Sequence, residues 1–349
     1  MTVATWTTPE QASMRARIHL PLVTLYLTER CNSRCITCDY WRTGRDHLSL
    51  TDVRRQLPAL ERMGTRLVVL SGGEPLLNPQ WREIARELSG RGMKLWLLSS
   101  GLSLAKHAAR VAELFEFVTV SLDGADAATY RAIRGLDAFG AVCAGIRASV
   151  HAGSRVGIRV TLQKSNYRQI HDFVRLARAL GVSQLSFLAV DVSNPHAFGR
   201  DGAQPMGLVL DAAETAELGE LIEAMEVEFA DEFARRFIAE PMSRLRHILA
   251  YFAALAGRGA FPPVRCNAPE FSAVVGVHGD VAPCFFIAGP ARGQDADLEA
   301  MLSGDAFRSL RADIQAGRRP ECQRCVCSLW RAPNEWPRGV EDLSSGADA

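Results

Sequence analysis

Short apolar runs recur through the first half of the chain, at residues 20–28, 66–71, 94–99, 117–122, 157–162 and 184–190. Between them lie longer stretches, such as 50–63, 81–91, 138–152 and 168–180, in which apolar positions return every three or four residues. Brief runs alternating with helix-length segments predict βαβ units, a parallel sheet and right-handed crossovers. Six such units predict an α/β fold, a partial (β/α)6 TIM-like barrel over residues 1–192. Its ligand site is expected at the carboxyl ends of the strands.

The pattern changes after the sixth run. Residues 191–210 are rich in Asp, Asn, Pro and Gly and read as a loop, and residues 211 to about 256 read as helical. On that helical stretch Glu214, Glu217, Glu220 and Glu223 form a solvated face. Pro262 and Pro263 break the chain. The expected organisation is therefore a loop and helical connection over 193–262, a cysteine-bearing module over 263–330 and a polar tail over 331–349.

With 349 residues, 48% of them hydrophobic, the chain has enough apolar material for a large core and about two domains. A formal net charge of +1 leaves no electrostatic footprint for nucleic acid or an anionic membrane surface. The N-terminus lacks the basic and apolar regions of a signal peptide. The longest apolar stretch, around 248–256, is too short to span a bilayer. The expected location is cytoplasmic, where thiols stay reduced, so nine cysteines in tight groups point to metal ligation more than to disulfides.

Cys31, Cys35 and Cys38 stand in Cys-x3-Cys-x2-Cys spacing just after the first strand. Three thiolates so placed can hold three corners of a cubane iron–sulfur cluster and leave the fourth iron open. The plainer alternatives are a zinc site, which wants a fourth ligand, or three free thiols. The second strand ends in Gly72-Gly73-Glu74-Pro75, where glycines let the backbone come close to a ligand. The fourth ends in Ser121-Leu122-Asp123-Gly124, and Arg131 and Arg134 follow. A guanidinium can make two parallel bonds to a carboxylate, which lysine cannot.

Together these motifs resemble the radical S-adenosylmethionine (SAM) superfamily, and the resemblance covers residues 20–330. It implies a [4Fe–4S] cluster on Cys31, Cys35 and Cys38 whose open iron chelates SAM. Reductive cleavage of SAM would then give a 5′-deoxyadenosyl radical that abstracts hydrogen from a substrate. It also implies that the Gly72 and Gly73 carbonyls receive the SAM ammonium while Glu74 shapes the site. Ser121 would contact the ribose or carboxylate of SAM, and Arg134 its carboxylate. Ser100, Thr161 and Leu188 join the candidates from position alone, Leu188 flanking the adenine. Relatives often carry an aromatic residue just before the third cysteine. Thr37 stands there instead, which rules out stacking at that position but not a backbone contact.

Cys266, Cys284, Cys322, Cys325 and Cys327 form the second group. Residues 273–284 read as a β-hairpin turning at Gly279, and Pro320 as the break before a helix start. The spacing resembles the twitch module, a shortened form of the SPASM auxiliary-cluster domain. Cys266, Cys284, Cys322 and Cys325 would hold an auxiliary [4Fe–4S] cluster with no open corner, zinc being the alternative. A full SPASM domain needs seven cysteines here, so one auxiliary cluster is expected. Cys327 is then an alternate ligand or a structural thiol, and Cys143 is core.

The implied function is a radical SAM oxidoreductase or tailoring enzyme acting on a small molecule, with a sugar- or cyclitol-like alcohol as the leading class. The auxiliary cluster would carry electrons, and an external low-potential flavodoxin- or ferredoxin-like donor would feed the enzyme. The alternatives are a maturase of ribosomally made peptides and a non-catalytic iron–sulfur or zinc protein. Against peptide maturation, the 30 residues before Cys31 are too few for a leader-binding domain, which a separate protein would have to supply. Asp191 and His196, in the loop leaving the sixth strand, are candidate proton acceptors.

Overall fold

The computed structural model describes residues 18–194, 197–200, 206–293 and 296–335. Strands and helices alternate in chain order: β1 (Leu22–Thr28), α1 (Leu50–Arg62), β2 (Leu67–Gly72), α2 (Trp81–Gly90), β3 (Lys94–Ser99) and α3 (Leu104–Leu114). There follow β4 (Phe117–Ser121), α4 (Ala127–Arg134), α5 (Phe139–His151), β5 (Val156–Leu162), α6 (Ile170–Ala179) and β6 (Gln184–Ala189). All six strands pair in parallel with their sequence neighbours, which makes the expected partial barrel.

The strands are continuously apolar because both faces are covered. Val68 and Leu70 belong to the main core shared with the helices. Their neighbours Leu67 and Val69 join Leu22, Trp96, Phe117 and Phe271 in a separate cluster on the other face. Helix entry is fixed locally, as at α1, where Ser49 and Asp52 satisfy each other's backbone N–H groups in a capping box.

The helical expectation for 211–256 needs a correction. Helices α7 (Ala212–Glu228) and α8 (Met242–Leu255) are separated by a short helical turn at Ala230–Ala234 and a stretch around Ile238 lying along β6. Leu185 N donates to Phe237 O at 2.7 Å, and Ala239 N to Leu185 O at 2.8 Å. As the last strand of the sheet, β6 would otherwise expose unpaired donors and acceptors, and this stretch covers that edge.

Beyond α8, β7 (Ser272–Val275) and β8 (Asp280–Ala282) form the expected hairpin, with Gly279 at φ 73° in its turn. Strand β7 also pairs in parallel with β1, and a short β9 (Ala291–Arg292) follows β8. The result is one nine-stranded sheet, ordered β6-β5-β4-β3-β2-β1-β7-β8-β9. The sequence pattern did not reveal helices α9 (Leu298–Ser303) and α10 (Asp305–Gln315), which precede a single turn, α11 (Pro320–Gln323), with Pro320 in its first turn. Among the described residues no helix is long and apolar enough to cross a membrane.

Candidate active site

The carboxyl ends of all six barrel strands open onto one cavity, through Tyr26, Ser71, Ser99, Ser121, Thr161 and Ala189. Cys31, Cys35 and Cys38 line the same space, Cys35 buried and the other two half-buried. Their loop is fastened chiefly by backbone bonds. Arg34 N donates to Arg134 O and Ile36 N to Ile133 O, both at 3.0 Å. Gly73 N reaches Thr28 O, and Glu74 N reaches Arg30 O, both at 2.8 Å.

That packing gives the Gly72–Gly73 pair a reason beyond ligand approach. Gly72 sits at φ 112°, and a side chain on Gly73 would overlap the carbonyl of Arg30. The glycines let the end of β2 press against the backbone that leads into Cys31. Both still line the cavity, as the SAM reading requires.

The other expected site residues divide. Ser100, Ser121, Arg134, Thr161, Leu188 and Asp191 all border the cavity. Glu74 is not among the lining residues and stands where it can shape the site by positioning, the role the resemblance implies. Fully buried, it accepts from Ser99 Oγ at 3.1 Å, Ser100 N at 2.7 Å and Leu76 N at 3.2 Å. Burial raises its pKa, and these bonds oppose the rise. Ser100 Oγ in turn donates to Asn32 Oδ1 at 2.9 Å, so the carboxylate steadies the cysteine loop through β3.

Arg134 is tied in place on two sides. Its Nε lies 2.9 Å from Asp123 Oδ2, and its Nη1 donates to Cys35 Sγ at 3.1 Å. Asp123 also accepts from Thr161 N at 2.7 Å, linking β4 to β5. Asp123 has no role assigned from the sequence alone; its place in the Ser-Leu-Asp-Gly stretch is the signal that points to it. His196 lies outside the described residues, as does 336–349 of the tail.

The five C-terminal cysteines come together, each facing others electrostatically. Cys284 and Cys322 pack with a small apolar group of Ile287, Leu310 and Ile314, whereas Cys327 packs on the main core and lines the cavity. Burial pushes the thiols of Cys31 and Cys322 up to about 11 and those of Cys38 and Cys284 up to about 12. Such thiols stay protonated until a metal takes the proton's place, so loading releases protons.

Among the described residues, the only three or more Cys, His, Asp or Glu whose ligand atoms all lie within 4.8 Å of one another are Glu29, Asp46 and His278. Thiolates sharing one tetrahedral zinc would stand about 3.8 Å apart, from Zn–S bonds of about 2.3 Å. No three thiols of either group stand that close to one another.

Residues 25–177 match the family model of the radical SAM superfamily, and residues 266–326 match that of the SPASM iron–sulfur cluster-binding domain. Among curated proteins, the chain is 32% identical over 175 residues to the GTP 3′,8-cyclase of Cronobacter sakazakii, covering 47% of this chain and 53% of that one. It is 32% identical over 170 residues to the pre-heme d1 synthase of Dinoroseobacter shibae, covering 47% and 42%. The chain thus spans about half the length of these relatives. Among solved structures, Streptococcus suis SuiB bound to S-adenosylmethionine superposes with a TM-score of 0.64 at 14% identity, covering 91% of this chain and 76% of SuiB. The enzyme anSMEcpe with bound AdoMet superposes at 0.60 and 16% identity, covering 83% and 82%. At such identities the likeness is one of fold.

Proposed function

Because the chain belongs to the radical SAM superfamily and carries a C-terminal iron–sulfur cluster-binding domain, we infer that it oxidises or rearranges a small alcohol-bearing metabolite of the sugar or cyclitol class. One observation carries this reading: the first three thiols, the ends of all six barrel strands, and Phe285, Phe286 and Cys327 of the C-terminal module border a single cavity. A substrate held there lies between the two cysteine groups.

When bound, a reduced [4Fe–4S] cluster and SAM together supply a hydrogen-abstracting radical, and an auxiliary cluster supplies a sink for one electron. The chain's own residues do the rest. Cys31, Cys35 and Cys38 would hold the first cluster, and Cys266, Cys284, Cys322 and Cys325 the second. The carbonyls of Gly72 and Gly73 and the side chains of Ser121 and Arg134 would hold SAM, with Asp123 fixing the guanidinium. Phe198, Phe285 and Phe286 give the cavity an apolar wall.

An alcohol carbon oxidised to a carbonyl loses one hydrogen atom, which ends on 5′-deoxyadenosine, and one proton and one electron. SAM is the oxidant and leaves as methionine, and a flavodoxin- or ferredoxin-like donor starts each cycle. Asp191 borders the cavity and is the candidate acceptor of the proton, and burial holds its pKa above the usual carboxylate range.

Protein reconstituted with iron and sulfide under anaerobic conditions, reduced with dithionite and given SAM, should release 5′-deoxyadenosine and methionine in equal amounts. Release no greater than that from iron-free protein would overturn the catalytic reading.

A further inference from the structure

Strand β5 carries a guanidinium into the barrel. Ile158 and Val160 belong to the core shared with the helices, so Arg159 and Thr161 turn inward, level with Ser186 and Leu188 of β6. Thr161 sits nearer the carboxyl end, and Arg159 borders the same cavity one layer deeper. It also faces Cys327, which places it between the two cysteine groups. Its Nε donates to Ser186 Oγ at 3.1 Å. Among the described residues neither Nη has a hydrogen-bond or ion-pair partner, and neither is sealed off by protein. The layer below offers little in exchange. Trp96 Nε1 already donates to Thr119 Oγ1 at 2.8 Å, and Trp96 meets Phe117 edge to face with ring centres 5.5 Å apart.

Its charge is left over as well. The other charged side chains bordering the cavity come in pairs: Arg134 lies 2.9 Å from Asp123, and Arg200 lies 3.7 Å from Asp191. Glu240 faces Arg159, but no ion pair joins them. That carboxylate lines a smaller pocket beneath, holds Phe187 N at 2.7 Å and faces Arg244 as well. One carboxylate facing two guanidiniums leaves a positive charge over. A charge drawn out of water costs free energy until an opposite charge meets it, and unused, accessible donors mark where that charge can bind.

We propose that Arg159 anchors a carboxylate or phosphate of the substrate, its two Nη groups donating side by side to two anionic oxygens. The planar fork of a guanidinium matches both groups. A hydroxyl would accept from one Nη but leave the charge unmet, and an ammonium would be repelled. With Ser186 holding Nε, the fork keeps a fixed direction inside the barrel, so a substrate gripped by its acid group presents its remaining carbons at a set position. This assignment rests on the small-metabolite reading and narrows it to sugar or cyclitol compounds that carry an acid group.

The test uses the holoenzyme with saturating SAM and four probes on one ring: glucose, glucosamine, glucuronate and glucose 6-phosphate. Calorimetric titration should show an anionic probe binding tighter than glucose by about tenfold, the scale of a charge-assisted hydrogen bond, with glucosamine weakest. The tighter anion tells whether the group is a carboxylate or a phosphate. Arg159→Gln should erase the advantage of the anion over glucose. Arg159→Lys, which keeps the charge but not the fork, should restore part of it. Iron content and melting temperature check that the variants fold; should both lose iron, the ranking of the four probes on the wild type carries the test. Anions binding no tighter than glucose, or no probe binding at all, would overturn the assignment. So would a folded Arg159→Gln that keeps the affinity for the anion, or one that weakens SAM instead, since the guanidinium would then serve the SAM carboxylate. Failure of the wild type to release 5′-deoxyadenosine would strike the underlying reading and leave the charge preference standing.

Discussion

The two cysteine groups are built in opposite ways. Cys31, Cys35 and Cys38 sit on one short loop that four backbone hydrogen bonds fasten to strand ends and to α4. Cys266, Cys284 and the Cys322–Cys325 pair come from three separate pieces of chain, held by an apolar group on which Cys284 and Cys322 pack and by a tie in which Asn267 bonds Leu329 and Arg331. The barrel shapes the first group before any metal arrives. The second must draw more of its order from what it binds, because metal affinity and folding are linked where the protein scaffold is thin.

The ligand sets give the largest expected effects. Replacing Cys31, Cys35 and Cys38 together with alanine should abolish SAM cleavage, leave about four irons per chain on the other site, and barely move the melting temperature. Replacing Cys266 and Cys284 should remove about four irons and all product, spare some uncoupled SAM cleavage, and lower the melting temperature. Iron analysis and calorimetry on both variants decide the matter: equal destabilisation would erase the contrast between a preformed and a metal-ordered site.

A middle-sized effect falls on Cys327. It packs on the barrel core and faces Arg159 and Arg244, unlike Cys284 and Cys322. Cys327→Ser should therefore keep the full iron content while slowing product formation severalfold, because its side chain borders the cavity. Loss of about four irons would move it into the ligand set and make the second group less distinct from the barrel.

The smallest effect concerns the seam between the two regions. Glu240 accepts from Phe187 N at 2.7 Å, and burial pushes its carboxyl up to about 7. Below about pH 4.5, the ordinary glutamate value, the folded and unfolded chains both carry the proton and the group adds no pH dependence. As pH rises from there to about 7, the unfolded chain gives up the proton first, and stability falls. Glu240→Gln should thus match wild type at pH 4 and melt on the order of 2 °C higher at pH 8. A constant difference across that range would remove Glu240 as a titrating group at the seam.

Much of the barrel was legible in the sequence, because strands buried on both faces announce themselves as unbroken apolar runs. The hairpin around Gly279 was legible too, but not its parallel pairing with β1, since nothing local in residues 272–275 specifies a partner so far along the chain. The break between α7 and α8 was hidden for a related reason: the need to cover β6 belongs to the sheet, not to the helical segment. In the site, residues that face the ligand space stood out in motifs. Those that act through others, such as Asp123, did not.

Gly73 leaves no room for even a methyl group against Arg30, so strand and sulfur-bearing loop form a single casting. Anyone redirecting this protein to a new compound would leave that casting alone. Diversity would be drawn from Asp191, Phe198 and Arg200 and from the Phe285–Phe286 pair, which border the same chamber yet carry no sulfur.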